Sequence, residues 1–440
     1  MNHATYRHRA HKLLPLAALL SLFSLPALAT NGYFAHGYGL KAKGMGGVSL
    51  ALSEDAMGGA NNPAGMVFAG SRVDFGVDDF MPRRDAERSG ASGPAAGLNG
   101  KVESDHTAFL IPEFGINRML DAKSSLGVSV YGNGGMNTTY PQGNFQCPDS
   151  FTAPTTAVPG NALCGGGTLG VDLSQLIISP TYARHLDEQH AVGMSLLLGY
   201  QRFKAEGLQA FAAIPGFSAA PGRVTNQGYD SATGAGLRLG WQGRFSPLLS
   251  VGAAYATRMK MGKFEKYQGL FAEQGGFDIP SNVGLGLSYS PLPALTLAAD
   301  YTRINYSEVA SIGNPSSAQA QLGADKGPGF GWQDVKVVKI GVQWRSSDTL
   351  TLRAGYNKGS NPIRPADVSF NILAPGVTTT HYTLGATWRV AGGELTGAYM
   401  KAPRQTVTGA SLFNGFNIPA GSETIGMGQS SFGLAWGWSY

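Results

Sequence analysis

Ser431-Phe432-Gly433-Leu434-Ala435-Trp436-Gly437-Trp438-Ser439-Tyr440, the last ten residues, decide the fold. Bulky apolar side chains fall on every even number, and small or polar ones on every odd number. Successive side chains of a strand point to opposite faces, so an extended chain sorts these two sets apart. With the bulky face outward, the layout inverts that of a soluble barrel. It matches a strand that crosses an outer membrane and carries its aromatics to the interfacial girdle. The competing reading is a sandwich strand with an aromatic inner face. It fails because the pattern recurs throughout the chain.

Working back from the C-terminus, the same alternation appears at Tyr382/Leu384/Ala386/Trp388, Leu350/Leu352/Ala354/Tyr356 and Val338/Ile340/Val342/Trp344. Earlier come Leu295/Leu297/Ala299/Tyr301, Val283/Leu285/Leu287/Tyr289, Leu249/Val251/Ala253/Tyr255 and Leu237/Leu239/Trp241. The first are Val192/Met194/Leu196/Leu198/Tyr200 and Leu126/Val128/Val130. Many end in an aromatic, as a lipid-facing stripe reaching the headgroups should. The opposite faces carry Gly, Ser, Thr, Gln and Arg, which suits a wet or partly filled lumen. Composition agrees. Glycine supplies 63 of 440 residues, about twice its usual share. Charged residues are 14%, against a norm of about 25%. Aromatics at 10% argue against disorder. Past residue 29, no apolar run nears the roughly 18 residues that a membrane helix needs.

Connections fall into two kinds. Short ones lie at Leu120–Ser124, Leu186–Glu188, Ser246–Leu248, Ser290–Ala294, Arg345–Thr349 and Ala391–Gly393. Long ones run near 81–104, 140–172, 206–230, 260–276, 307–331, 358–379 and 401–429. Outer-membrane barrels have short periplasmic turns and long extracellular loops. Thirteen connections give a transmembrane all-β barrel of fourteen antiparallel strands, an even number as such barrels require, spanning 71–440.

Residues 1–29 read as a signal peptide. Arg7, Arg9 and Lys12 precede the apolar stretch Leu13 to Leu25, and Ala27-Leu28-Ala29 is a small-x-small cleavage site. Without it the net charge falls from +5 to +2, which leaves little support for a nucleic-acid partner. Export places Cys147 and Cys164 in an oxidising compartment. They lie 17 positions apart in one Gly/Pro/Thr-rich stretch, so a loop-closing disulfide is expected. A metal pair is the minor alternative, with no His between them.

Residues 30–70 are too many for a tail and too rich in Gly and Ala to pack as a domain alone. They hold Gly44-Met45-Gly46-Gly47, a possible short helix from Ser53 to Met57, and Asn61-Asn62-Pro63-Ala64-Gly65. One reading is a periplasmic linker; the sharper one is a plug folded into the lumen, which would close the pore of a barrel this size. Gly32-Tyr33-Phe34, Ser53-Glu54-Asp55-Ala56 and Asn62-Pro63-Ala64 resemble the N-terminal hatch of the long-chain fatty acid outer-membrane transporter (FadL) family. The likeness continues through Tyr131-Gly132-Asn133-Gly134-Gly135-Met136, Gly331-Trp332-Gln333-Asp334 and the closing aromatic strand. It implies a fourteen-stranded barrel closed by a hatch, passive uptake of hydrophobic molecules, and lateral exit through a kink in the third strand.

Local chemistry bears on that mechanism. Asn133, Gly134 and Gly135 mark the suspected kink, since glycine within a strand often signals a bulge; the alternative is a strand end entering a loop. Phe211, Ile214 and Phe217, with Phe264, Leu270 and Phe271, are apolar residues placed in loops. They are candidates for ligand capture, or for loop-to-loop packing. Fatty-acid members hold the carboxylate with basic residues near positions that here fall at Gly207 and Ser311, which carry no charge. Arg202 and Lys204 lie close, but their parity with Val192 to Tyr200 points them outward. That opens the alternative of neutral aromatic hydrocarbons as cargo. An open diffusion porin is a further alternative. Enzyme motifs are absent: there is no Gly-x-Ser-x-Gly, Walker loop or His-Glu-x-x-His. A barrel-embedded hydrolase or protease is the enzyme alternative. No cofactor or metal is expected. The expected partners are a hydrophobic small molecule, outer-membrane lipids with lipopolysaccharide, and the barrel assembly machinery, for which Tyr440 would be the signal. A monomer is expected.

Overall fold

The computed structural model describes residues 31–149, 156–390 and 392–440, so the expected signal peptide lies outside them. Fourteen long antiparallel strands follow in chain order: β1 Arg72–Ser89, β2 Phe109–Met119, β3 Ser124–Tyr140, β4 Leu169–His185, β5 His190–Glu206, β6 Asp230–Ser246 and β7 Leu249–Ala256. Then come β8 Asn282–Leu292, β9 Leu295–Ile304, β10 Val335–Arg345, β11 Leu350–Gly359, β12 Thr380–Val390, β13 Gly393–Ala410 and β14 Ser422–Ser439. Each pairs with its neighbour in sequence. β14 returns to β1 in register from Ser439↔Arg72 to Ser422↔Ser89, so the sheet closes. The strand count is the expected one, and no helix among the described residues is long and apolar enough to cross a membrane.

Side-chain direction follows the sequence parity. On β8, Val283, Leu285 and Leu287 are 40%, 59% and 46% exposed, while Ser288 is 5% exposed. On β14, Phe432 and Leu434 face out and Ser431 faces in. The sheet closes on itself, as the hydrocarbon layer favours by penalising unpaired backbone groups.

Two expectations need correction. β1, β13 and β14 run well into segments read as long loops, 81–104 and 401–429. Their ends carry Arg83, Arg84, Asp85, Glu87, Arg88 and Arg404, which interrupt the apolar alternation. The β1–β14 ladder runs on through its charged residues, and Arg404 sits in a bulge of β13 between Ala402 and Gln405, past which pairing resumes. The charges pair across strands instead: Arg404 holds Asp85 through 2.6 and 3.0 Å contacts, and Arg88 holds Glu423. Nor does a helix form at Ser53–Met57. That stretch is irregular, its groups bonding to the barrel wall and to side chains instead of to helical carbonyls: Ala56 N–H donates to Asp74 (2.8 Å), Glu54 pairs with Arg353 (3.0 Å) and Met57 N–H donates to Asp55 Oδ1 (3.0 Å). Short helices lie on either side of it, at Leu40–Lys43 and Met66–Ala69.

Cys147 and Cys164 are joined by a disulfide, their Cα atoms 5.4 Å apart, beside a small ribbon of Phe145–Pro148 with Ala157–Gly160.

Candidate functional site

The wall is incomplete at β3. Opposite β4 the register shifts between Gly132 and Gly134, leaving Asn133 as the extra residue of a bulge. The strand then continues to Tyr140↔Leu169, so it does not end there. On its other side β3 pairs with β2 only from Ser125↔Met119 to Tyr131↔Glu113. Phe109–Pro112 of β2 pair with β1 alone. Contact between the two sides resumes higher up, where Asp105 N–H donates to Thr139 O (2.9 Å). A window therefore lies between β2 and β3. Buried Phe109 stands at its edge, with the His106 ring 4.4 Å away.

The segment before β1 covers this window from within. Phe34 bridges to Gly134, Gly135 N–H donates to Tyr33 O, and Ala35 N–H donates to Asn133 O, both at 3.3 Å. Tyr38 Oη donates to the Asn133 side chain at 3.0 Å. The Asn133 amide then leads through Gln175 to Gln201, at 3.0 and 3.1 Å. Tyr306 fixes the start of the segment: its hydroxyl donates to Asn31 O (2.6 Å) and accepts from Tyr33 and Phe34 N–H (3.1 and 3.2 Å). Gly32, at φ +70°, lies against that ring, where a side chain would collide. Tyr33 is packed among Phe34, Phe277, Tyr306 and Trp332.

Further along, the segment is tied to the inner wall by charge. Lys43 lies 3.0 Å from Asp78 and 3.4 Å from Glu113, Lys41 lies 2.6 Å from Glu394, and Asp300 accepts from Ser49 and Leu50 N–H. Arg238, buried as well, is bonded to the carbonyls of Gly59 and Ala60. The Asp55 carboxyl is pushed up to about 7, first by burial and then by the facing Asp74. Asn62 is fully buried; its Nδ2 donates to Leu50 O (2.7 Å) and Trp241 O (3.0 Å), and its Oδ1 accepts from Ala64 N–H (3.1 Å). Gly193 and Gly240 on β5 and β6 leave room for Pro63 and Asn62, and any Cβ there would strike them.

Above the window, the long loops enclose an apolar cavity of ≈ 410 Å³, its mouth included. Of the loop residues singled out as candidates for capture or for loop packing, Phe211, Leu270 and Phe271 line it, joined by Phe203, Phe330 and Phe370. Phe217 and Phe264 stand one layer back, packed on Phe211 (5.2 Å) and on Phe203 (5.5 Å). Ile214 is buried beside them. No lining residue is charged. Ser311 is among them, with its hydroxyl turned to Gly276 O. Gly207 stands apart, its carbonyl held by Asn161 (2.9 Å). Arg202 and Lys204 take the outward parity and lie over the Tyr229 ring at 4.5 and 5.4 Å, away from the cavity. Phe203, on the opposite face of the same strand, was legible from parity alone. Phe330, Phe370 and Leu373 carried no local signal.

A second cavity of ≈ 320 Å³, mouth included, lies against the window. It is bounded by Tyr33, Arg84, Met136 and Trp332, with Ala374 as its nearest link to Leu373 of the first. The described residues hold no group of three or more His, Cys, Asp or Glu able to bind a metal.

The family described as "Outer membrane protein transport protein (OMPP1/FadL/TodX)" matches residues 27–396. The chain belongs to that family. Its barrel is thus an outer-membrane one of Gram-negative type, and the family consists of transporters of hydrophobic compounds. Among solved structures it resembles the toluene transporter TodX of Pseudomonas putida, at 19% identity and TM-score 0.67 over 93% of this chain and 100% of that one. A Pseudomonas aeruginosa FadL homologue superposes with TM-score 0.66 at 14% identity, covering 93% and 99%. The toluene transporter TbuX of Ralstonia pickettii gives 0.60 at 16%, covering 92% and 99%. At such identities the likeness is one of fold. No curated protein matches the sequence.

Proposed function

We propose that the barrel is a passive uptake route for hydrophobic molecules, most concretely long-chain fatty acids, and that residues 30–70 act as its hatch. Ligand enters the apolar cavity at Phe211, Leu270 and Phe271, passes the Trp332–Leu373 partition, and leaves sideways at Asn133–Gly135. The observation that carries this reading is the second cavity's contact, at Gly135, with a bulged wall whose β2–β3 ladder stops at Glu113↔Tyr131, the first cavity lying next to it across Leu373–Ala374. Each buried methylene contributes about 0.8 kcal/mol. Adding one therefore tightens binding about fourfold, and the cavity selects for hydrophobicity before shape. No reacting group and no energy source is needed if affinity falls along the path.

Aromatic hydrocarbons are the second reading, favoured by the uncharged lining of the first cavity and by toluene transporters among the fold's relatives. The experiment is uptake of radiolabelled oleate and of toluene by cells lacking their own such transporter, with and without this chain. Stimulated uptake of either supports the route, and the ratio assigns the cargo. No stimulation, together with steady large conductance in planar bilayers, would instead mark an open porin.

A further inference from the structure

Arg84 is a cation for which the described residues supply no anion. It lies on β1, 3% exposed, and lines the second cavity beside Met136 and Trp332. Its hydrogen bonds go to neutral acceptors: Asn137 O (2.7 Å), Ser104 Oγ (3.2 Å) and His106 O. Its Nε–H is buried with no acceptor, although a guanidinium has five N–H donors to place. The nearby acids are committed elsewhere, Asp85 to Arg404 and Glu423 to Arg88. Phe109 covers one face, 5.6 Å from the guanidinium carbon. The Tyr140 hydroxyl, also buried and within electrostatic reach of Arg84, has no partner either.

Burying an ion without a counter-ion carries a large desolvation penalty, and an unmade bond in a dry site adds to it. A ligand bringing a negative charge would relieve both, because a carboxylate accepts strong charge-assisted bonds from a guanidinium. A neutral hydrocarbon would relieve neither. The loop positions at Gly207 and Ser311 offer no cation, so the charge-reading element would sit on a different strand and deeper in the path.

We propose that Arg84 receives the carboxylate of an amphipathic acid in the second cavity, with the chain's apolar tail in the cavity above. This rests on the uptake reading and names its cargo as anionic. Release through the window would then require the head group to leave Arg84, making it the last tight contact before exit.

The test is equilibrium binding of radiolabelled dodecanoic acid and 1-dodecanol to the purified chain in lipid nanodiscs at pH 8. The wild type should prefer the acid at least tenfold. R84Q should bring the two within twofold, and R84K should restore part of the preference, which a merely structural role would not do. Equal binding of acid and alcohol by the wild type, or an unchanged ratio in R84Q, would overturn the assignment while leaving hydrophobic uptake standing. Binding of neither ligand would overturn both. Should R84Q fail to assemble, the wild-type ratio decides. It must fall as the ligand carboxyl protonates, at roughly pH 5 and below, and a flat ratio would refute the role.

Discussion

Replacing Asn62 by Ala tests whether residues 30–70 close the barrel. The side chain is fully buried and makes three hydrogen bonds, to Leu50 O, Trp241 O and Ala64 N–H. Only the bond to Trp241 reaches the wall. The other two hold the segment in the shape that fits against Gly193 and Gly240. Truncation leaves three buried groups without that partner, each worth about 1–3 kcal/mol. Even at the low end the seated state loses about 3 kcal/mol, roughly a 150-fold shift toward unseating. The barrel ladder is untouched, so the variant should remain heat-modifiable on gels. The assay is single-channel recording in planar bilayers, where open events should rise by about two orders of magnitude. Sensitivity of expressing cells to a large hydrophilic antibiotic should rise in parallel. If N62A stayed as silent as the wild type while folding normally, the segment would not be what closes the lumen.

Other perturbations address separate parts of the path. G134V with G135V places β-branched residues where the bulge forms, favouring a regular strand; ligand binding should persist and net uptake fall, and unchanged uptake would exclude exit at this point. Y440A removes a side chain that is 60% exposed and bonded through Oη to Asn117 O (3.2 Å). Assembly yield should drop, whereas normal yield with altered cargo preference would contradict a role in assembly. Asp55 is raised to about 7 by burial and by Asp74, with Lys41 and Arg72 opposing and Glu113 adding to the rise. Its raised value means that the seated segment favours the protonated carboxyl. That stabilisation is full below about pH 4 and is lost as pH rises through about 7. D55N should flatten the dependence of channel openings on pH between 5 and 8, and an identical slope in both proteins would refute the link.

The wall was legible because lipid imposes period two on every strand: Val283 to Tyr289 and Phe432 to Tyr440 need no tertiary information to sort their faces. The same rule misjudged β1, β13 and β14 where they leave the lipid. There Arg84, Asp85 and Arg404 read as loop residues, although pairing continues through Arg84 and Asp85 and resumes past the bulge that holds Arg404. Helical order in the N-terminal segment was misplaced because its conformation is dictated by partners hundreds of residues away, such as Arg353 for Glu54 and Asp300 for Ser49. Phe211, Leu270 and Phe271 stood out as apolar residues in loops. Phe330, Phe370 and Leu373 did not, since their meeting with the others depends on how four loops fold over one another. Arg84 was hidden for a related reason: its significance is the absence of an acid around it, and no local pattern records that.

The wall break and the N-terminal segment meet at one place. Backbone groups at membrane depth must find partners; the bulge takes Asn133 out of step with β4, and β2 no longer reaches Asn133 or Gly135, the latter still paired with Ser174 of β4. Their partners are Ala35 N–H and Tyr33 O, supplied by the segment inside the barrel. Both contacts are 3.3 Å, longer than the usual 2.9–3.0 Å, and so weaker than the ladder bonds around them. On the proposed route, a sideways exit at the bulge requires residues Tyr33–Ala35 to yield, and Tyr33 also lines the cavity that holds Arg84. A ligand arriving there presses on the same residues that complete the wall. On the proposed route, opening toward the side would need only Tyr33–Ala35 to shift, with Lys41, Lys43 and Asn62 still holding the remainder of the segment against the wall.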